Sequence, residues 1–365
     1  MVNSNCRTTS SDPMSSLHVG LVCSTYPPIP GGVESYNRHI AQALAVQGHT
    51  VTVATRFTNE RPADDMRGLL TTTSTPHSYE DEAVHVHVLG ASGPRRWLLH
   101  PTYKLHFHVP TLAVWLTRQA LRPSLSAALD GCDVVHYSGT GRELLGFAAL
   151  HWARQRNIPF VVTSHLHADG WGDGALDLQL YKQASHYVAL THHEAQFVVD
   201  QGLNPDHISV IGHGVNVGGT GNGDRLRSEL DIDGPIALYL GRKVAYKGYP
   251  TVLEAAPSVW ETIPDAHFLI AGPEDDTTRA LRTAHQDVLE DERVHEWGFV
   301  SDAMREDLYD ACDVFCLPSK AEAYGLVYLE AWSYGTPVVG LNIPTLRELI
   351  GDVRGGLLTD NTGTA

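Results

Sequence analysis

The 365-residue sequence lacks the marks of several protein classes. Its five cysteines include no C-x-x-C pair, and an odd number in so long a chain does not make a disulfide framework. No run approaches the roughly 20 apolar residues that a membrane span needs, and no basic start leads into an apolar signal-peptide core. We therefore expect a protein of the reducing cytoplasm.

Basic residues are also scarce. Lysine and arginine number 26 against 42 aspartates and glutamates, which gives a formal net charge of -16. A chain this acidic repels polyanions unless a basic patch overrides the mean field. We therefore expect no nucleic-acid partner.

One segment departs from this acidic balance, because no Asp or Glu lies between Glu82 and Asp130. Five basic residues fall inside it, interleaved with aromatic side chains. Such a segment favours peripheral contact with an anionic membrane through residues 95–122, which would put the protein at the inner face of the membrane. The alternatives are a solvated basic face or a lining for an anionic acceptor. The basic residues and aromatics are Arg95, Arg96, Lys104, Arg118, Arg122, Trp97, Tyr103, Phe107 and Trp115.

Short β-branched apolar runs alternate with helical patterns along the chain, which is typical of parallel strands covered by helices on both faces. A Gly-rich stretch at 212–223 interrupts this series, and a second one follows. The pattern predicts an α/β protein with two Rossmann-like domains facing across a cleft, where ligands bind at the carboxyl ends of the strands. The predicted parts are a flexible segment 1–16, an N-terminal acceptor domain 17–213 and a C-terminal donor-binding domain 214–365.

The strongest chemical pattern is DVFCLPSKAEAYGLVYLEAWSYGTPVVG, residues 313–340. It predicts a strand, a loop that carries Glu322, and a helix from about Gly325 to Tyr334. The N–H groups of Gly325 and Leu326 would open that helix and favour a phosphate. Glu330 lies within an apolar helix and needs partners such as hydroxyls.

A second strand-loop-helix pattern is PIALYLGRKVAYKGYPTVLEAA, residues 235–256. Arg242 and Lys247 lie in its loop, where a guanidinium and an ammonium would together neutralise a diphosphate. A departing diphosphate gains negative charge, so these cations would stabilise the transition state more than the ground state.

The stretch EAYGLVYLE resembles the E-x7-E motif of retaining glycosyltransferases of family 4, and GRKVAYKG resembles their G-R-x(4)-K-G loop. Further likeness runs through PPIPGGVESY, VVTSH, IGHGVNV and SDAMREDLYDACDVFCLPS. The resemblance implies a GT-B fold, a nucleoside diphosphate sugar as donor, and retention at the anomeric carbon. It also implies that relatives continue through further helices, so that domain 214–365 is truncated at its C-terminal end.

The resemblance assigns roles to particular residues. Arg242 and Lys247 would contact the donor diphosphate, Glu322 the transferred sugar and Glu330 the ribose hydroxyls. His165 would meet the sugar, or else make a structural hydrogen bond at a strand end. The loop glycines Gly31 and Gly32 would admit the donor phosphates, or else form a plain turn.

No metal or other cofactor is expected. The D-x-D stretch Asp231-Ile232-Asp233 precedes its strand and so falls at the wrong edge of the sheet to bind a metal on the diphosphate. Pairs such as His165 and His167 lack a third ligand at defined spacing. The family-like route has the leaving phosphate take the acceptor's proton, and double displacement with Glu322 as nucleophile competes with it.

Together with these patterns, the resemblance implies a metal-independent retaining glycosyltransferase whose acceptor is a hydroxyl of a glycan, lipid or small metabolite. The alternatives are a non-catalytic subunit that binds the nucleotide sugar, and a sugar-nucleotide epimerase on the same fold. Asp302 would accept from a guanine base of the donor, although a helix N-cap is the favoured interpretation of this residue.

Overall fold

The computed structural model describes residues 16–59, 66–168, 170–215, 219–351 and 355–360. Residues 1–15 of the predicted flexible segment lie outside this description. The chain divides into two compact units, one of residues 1–162 with 183–186 and the other of residues 163–182 with 187–365. Each of the two sheets brings its own loops to the carboxyl ends of its strands.

The first sheet has eight strands in the order β3-β4-β2-β1-β5-β6-β7-β8. Their bounds are β1 His18–Thr25, β2 Thr50–Phe57, β3 His77–Asp81, β4 Val84–Val88, β5 Val134–Ser138, β6 Phe160–Thr163, β7 His186–Ala189 and β8 Ile208–Val210. The helices between them are α1 Gly32–Val46, α2 Met66–Thr71, α3 Thr102–His108, α4 Pro110–Ala128, α5 Leu145–Gln155, α6 Ala175–Tyr181 and α7 His192–Asp200.

The second sheet has six strands in the order β11-β10-β9-β12-β13-β14. Their bounds are β9 Ile236–Leu240, β10 His267–Ala271, β11 Val294–Trp297, β12 Val314–Leu317, β13 Val338–Leu341 and β14 Gly356–Thr359. The helices are α8 Gly223–Leu230, α9 Tyr249–Thr262, α10 Thr278–Ala284, α11 Gln286–Leu289, α12 Asp302–Ala311, α13 Leu326–Ser333 and α14 Pro344–Ile350. All five pairings in this sheet are parallel.

Two parallel-sheet α/β halves confirm the predicted fold class. Strand β1 shows why its sequence folds this way, since six consecutive residues from Val19 to Ser24 are buried and both faces are covered. A Cβ at Gly20 would come within 2.7 Å of Leu129 Cδ2, so the absence of a side chain at this position lets Leu129 pack closely against the strand. The two sheets are joined by residues 211–235, where the predicted boundary at 213 falls.

The hairpin of β3 and β4 is a departure from the expected parallel series, because these two strands pair antiparallel at the edge of the first sheet. Polar residues alternate with valine in VHVHV of β4, and the burial alternates with them. An antiparallel pair at the edge of a sheet exposes one face to solvent. Its strands therefore lack the continuous apolar runs that indicate the central strands of the sheet.

After β4, the segment between Glu82 and Asp130 folds as a 3-10 helix, Gly93–Leu98, followed by α3 and α4. Five of its large apolar side chains are exposed, which are Trp97, Phe107, Val109, Leu112 and Trp115. Among the residues described, no helix combines the length and apolar character required to span a bilayer.

Strand β5 contains a buried histidine that makes stability depend on pH. Burial lowers the pKa of His136 to about 4, from an unfolded value of about 6.5. Its contribution is therefore fully present above pH 6.5 and is lost as the pH falls towards 4. At pH 5 the expected loss is about 2 kcal/mol. The variant His136→Gln should show a smaller drop in melting temperature between pH 7 and pH 5 than the parent chain.

The matched control for this prediction is His100→Gln, because His100 is exposed. It should follow the parent chain at every pH. An identical pH slope for His136→Gln and the parent would contradict the assignment.

Candidate functional site

The loop from Gly241 to Gly248 follows β9 and leads into α9. Tyr239 donates its hydroxyl to the Arg242 carbonyl at 2.6 Å, which fixes the start of the loop. At its end Gly248 has φ of 80°, and a Cβ there would lie 2.4 Å from the Pro318 carbonyl oxygen. Glycine thus lets this loop pack directly on the segment that follows β12.

That second segment carries Glu322, and an ion pair joins the two loops. Lys247 Nζ lies 2.8 Å from Glu322 Oε1, and both side chains are largely buried. The amide of Lys320 donates to the Tyr246 carbonyl at 2.7 Å, which ties the same loops through the backbone. Two residues that the sequence separates by 75 positions are thus in direct contact.

Tyr246 holds Arg242 close to this ion pair. The Arg242 guanidinium donates to the Tyr246 hydroxyl, and its Cζ lies 5.5 Å from the centre of that ring. Lys247 Nζ lies 5.4 Å from the same ring centre. One aromatic ring therefore holds both cations by cation–π attraction, beside Glu322.

Helix α13 begins at Leu326, after Gly325 in a left-handed conformation with φ of 100°. A Cβ at Gly325 would lie 2.7 Å from the Tyr328 ring, which a larger residue could not avoid. Tyr328 donates to the Leu317 carbonyl at 2.5 Å and so anchors the first turn to the end of β12. The structure confirms the predicted helix within one residue at each end.

Glu330 lies in that helix and accepts a hydrogen bond from the Tyr309 hydroxyl at 2.9 Å. Burial, followed by the repulsion between the Glu330 carboxylate and the phenolate form of Tyr309, raises the pKa of Tyr309 well above its usual range. The carboxylate expected to need hydroxyl partners thus has one within the protein.

His165 follows β6 by two residues and adopts a left-handed conformation, with φ of 53°. Its ring centre lies 5.4 Å from that of His213, which in turn lies 5.0 Å from that of Tyr324. Sequence reasoning singled out neither His213 nor Tyr324 as a site residue. The sequence signal that could have identified Tyr324 is its position, because it lies two residues after Glu322.

The sequence pattern offers His167 only as half of a metal-binding pair. Its backbone forms a bridge with Trp171, with the His167 amide 2.8 Å from the Trp171 carbonyl. Burial lowers the pKa of His167, and the charges of Lys247 and Arg242 lower it further while Glu322 acts in the opposite direction. The His167 imidazole is therefore neutral, and it interacts electrostatically with Lys247, Arg242 and Glu322.

The remaining candidates lie on other elements. Gly31 is the N-cap of α1 and Gly32 its first residue, at the carboxyl edge of the first sheet. Asp302 is not the N-cap of α12, because Ser301 holds that position and accepts from the Met304 amide at 3.3 Å. Asp302 is instead the first residue of the helix and pairs with Arg305 at 3.2 Å, so the N-cap interpretation is wrong by one residue.

Asp231 and Asp233 precede β9, at the opposite edge of the second sheet from Arg242 and Glu322. An open groove of about 430 Å³ lies at that edge, lined by residues such as Arg227 and Asp313. Within the described part of the chain, no cluster of three or more His, Cys, Asp or Glu side chains could hold a metal ion.

Two protein-family profiles match this chain. The profile described as Glycosyltransferase Family 4 matches residues 30–218, and that described as Glycosyl transferases group 1 matches residues 224–365. The phosphatidyl-myo-inositol mannosyltransferase of Mycobacterium leprae is 25% identical, over 92% of this chain and 81% of its own length. The D-inositol 3-phosphate glycosyltransferase of Segniliparus rotundus is 28% identical, over 91% of this chain and 74% of its own.

Solved structures show the same fold. The sucrose-phosphate synthase of Thermosynechococcus elongatus superposes with a TM-score of 0.71 and 21% identity, over 95% of this chain and 86% of that one. Anabaena HepE in complex with UDP-glucose gives a TM-score of 0.65 and 19% identity, over 94% and 85% of the two chains. With one family profile covering more than half of its residues, the chain belongs to glycosyltransferase family 4.

Proposed function

We propose that this glycosyltransferase moves a sugar from a nucleoside diphosphate donor to an acceptor hydroxyl, with retention and without a metal ion. The observation that supports this most is the contact of Lys247 with Glu322 beside Arg242. It gathers two cations and a carboxylate at the carboxyl end of the second sheet, where α/β proteins bind their ligands.

The two cations would neutralise the departing diphosphate. Arg242 offers a planar fork of donors that is held by Tyr246. The Lys247 ammonium has three N–H donors, so it can keep its hydrogen bond to Glu322 and still donate to a phosphate oxygen. The opening N–H groups of α13, at Gly325 and Leu326, would add unpaired donors and the helix dipole.

Glu322 would accept from a hydroxyl of the transferred sugar, while His165 would meet the same sugar. Glu330 would accept from the ribose hydroxyls, because the Tyr309 hydroxyl donates to only one of its oxygens. Gly31 and Gly32, where α1 begins, would let the donor phosphates approach the backbone. We assign the base contact to Asp302, whose side chain is mostly exposed beside Arg305.

The ion pair also bears on the route of the reaction. A carboxylate bound to an ammonium at 2.8 Å is a weaker nucleophile than a free one, which disfavours double displacement through Glu322. In the favoured route the acceptor hydroxyl attacks from the face that the diphosphate leaves. The O–H proton passes to the departing phosphate oxygen as the new glycosidic bond forms, and the atoms balance without another base.

The names of relatives suggest which acceptors to test. The two relatives named above carry phosphatidyl-myo-inositol and D-inositol 3-phosphate in their names. An assay should therefore start with these two compounds, and proceed to glycans and other metabolites with free hydroxyls. UDP-, GDP- and ADP-sugars should each be tested as donor.

The test of this proposal is sugar transfer in the presence of EDTA. The parent chain should keep its activity, and Arg242→Ala should lower kcat about 100- to 1,000-fold, because one donor to the developing charge is lost. Glu322→Ala should also abolish most transfer. Arg279→Ala, which removes an exposed arginine from α10, is the matched control and should retain full activity.

Contrary outcomes would either overturn the mechanism or identify another function. Strict dependence on a divalent metal would overturn the metal-free mechanism, and an inverted anomeric proton signal in the product NMR spectrum would overturn retention. Donor binding without turnover would select the non-catalytic subunit. An altered donor sugar formed without acceptor would select the epimerase.

We also propose peripheral contact with an anionic membrane through residues 95–122. Trp97 is 56% exposed, Phe107 61% and Trp115 46%, so these aromatic side chains are available to a bilayer surface. Arg95 and Arg96 lie on the same short helix as Trp97, and Arg96 stacks over its ring at 4.9 Å. Positive charge and exposed aromatic side chains thus occur together in residues 95–122, in a chain that is otherwise acidic.

Sedimentation with vesicles tests this contact. The parent chain should bind vesicles that contain phosphatidylglycerol and leave pure phosphatidylcholine vesicles unbound. Arg95→Gln with Arg96→Gln should weaken binding about 30-fold, at about 1 kcal/mol per basic residue. Ile263→Ala removes an exposed apolar residue outside the segment and should change nothing. Equal binding by the double variant would contradict the proposal.

A further inference from the structure

His165 has a backbone conformation that needs support. A φ of 53° is unusual for a residue other than glycine, and it persists only where the surroundings hold it. The residue is buried, with its ring near those of His213 and Tyr324 as described above. Because the backbone angle sets the direction of the side chain, whatever holds it also sets the position of the imidazole.

The residue before it, Ser164, belongs to a buried cluster of hydrogen bonds. Ser164 Oγ lies 2.5 Å from the Tyr187 hydroxyl and donates to Glu194 Oε1 at 3.0 Å. The Tyr187 hydroxyl donates to the same Glu194 oxygen at 2.6 Å. The end of β6 is thereby tied to β7 and to the first turn of α7.

The Glu194 carboxyl does more than support its own helix. Thr191 already caps α7, since its Oγ1 accepts from the Glu194 amide at 3.0 Å. The second carboxyl oxygen of Glu194 accepts from the Leu190 amide at 2.8 Å. The first oxygen reaches Ser164 and Tyr187, which lie outside the helix and which capping does not require.

A buried carboxyl is also costly to keep. Burial raises the pKa of Glu194 to about 7, so its ionised form is disfavoured even with three hydrogen-bond donors. A well-packed apolar residue at this position would avoid that penalty. The position of Ser164 next to His165 supplies a reason for a carboxyl here.

We propose that Glu194 is a positioning residue: through Ser164, and together with Tyr187, it holds the left-handed backbone of His165 and so directs the imidazole. This inference rests on the proposed function, because it takes His165 to contact the donor sugar. The hydrogen bonds themselves do not depend on which donor or acceptor is used.

A double-mutant cycle in kcat separates positioning from plain stability. Ser164→Ala breaks the link and leaves Glu194 with two donors, so kcat should fall about 10- to 100-fold, as expected for a misplaced catalytic group. Donor KM should change less than twofold. In a His165→Ala background, Ser164→Ala should cause no further loss, since it acts only through His165.

The matched control is Asn222→Ala, which removes the N-cap of α8, where its side chain accepts from the Arg225 amide at 3.1 Å, and contacts none of Ser164, Tyr187 and Glu194. It should lower the melting temperature by about 2–4 °C and leave kcat unchanged. Losses that multiply in the double variant, or a kcat for Ser164→Ala equal to that of the parent, would overturn the proposal. If His165→Ala alone leaves kcat unchanged, the role of His165 in sugar transfer fails, and the structure of Ser164→Ala then decides whether the cluster positions its ring.

A crystal structure of Ser164→Ala gives a readout that needs no activity. The φ angle of His165 should leave the left-handed region, or its ring should move away from His213. An unchanged His165 in this variant would overturn the inference even if sugar transfer were confirmed. A moved His165 would support it even if the acceptor assay failed, so the two failures are distinguishable.

Discussion

The Lys247–Glu322 ion pair is the contact on which the proposed chemistry depends. Both partners are largely buried, so removing one would leave an uncompensated charge, and such losses are severe in protein interiors. The pair joins the loop after β9 to the loop after β12, and Tyr246 adds Arg242 to the same place. Folding thus concentrates positive charge in a chain whose net charge is strongly negative.

The surrounding architecture follows from parallel strands. Neighbouring strands such as β9 and β12 end at one edge, so their loops meet there although 75 residues separate Lys247 from Glu322. Gly248 and Gly325 then allow approaches that a side chain would block. Hydroxyls of Tyr239 and Tyr328 fix the loops by donating to backbone carbonyls, which leaves the charged side chains for the ligand.

Sequence patterns predicted the parallel halves, α13 within one residue at each end, and the residues that form the ion pair. They could not predict that Tyr246 holds both cations, because its ring acts through three-dimensional proximity and not through spacing. The hairpin of β3 and β4 was missed, since solvent-facing edge strands lack a continuous apolar run. The cluster of Ser164, Tyr187 and Glu194 was equally hidden, because its members come from three separate elements.

The most direct test of the charge arrangement is calorimetric titration of UDP, GDP and ADP against the matching nucleoside monophosphates. The account predicts that at least one diphosphate binds about tenfold or more tightly than its monophosphate, because the added phosphate meets Arg242 and Lys247. Arg242→Met, which leaves the Lys247–Glu322 pair intact, should remove much of that difference. Equal affinity of the parent chain for both nucleotides, or an unchanged difference in the variant, would contradict it.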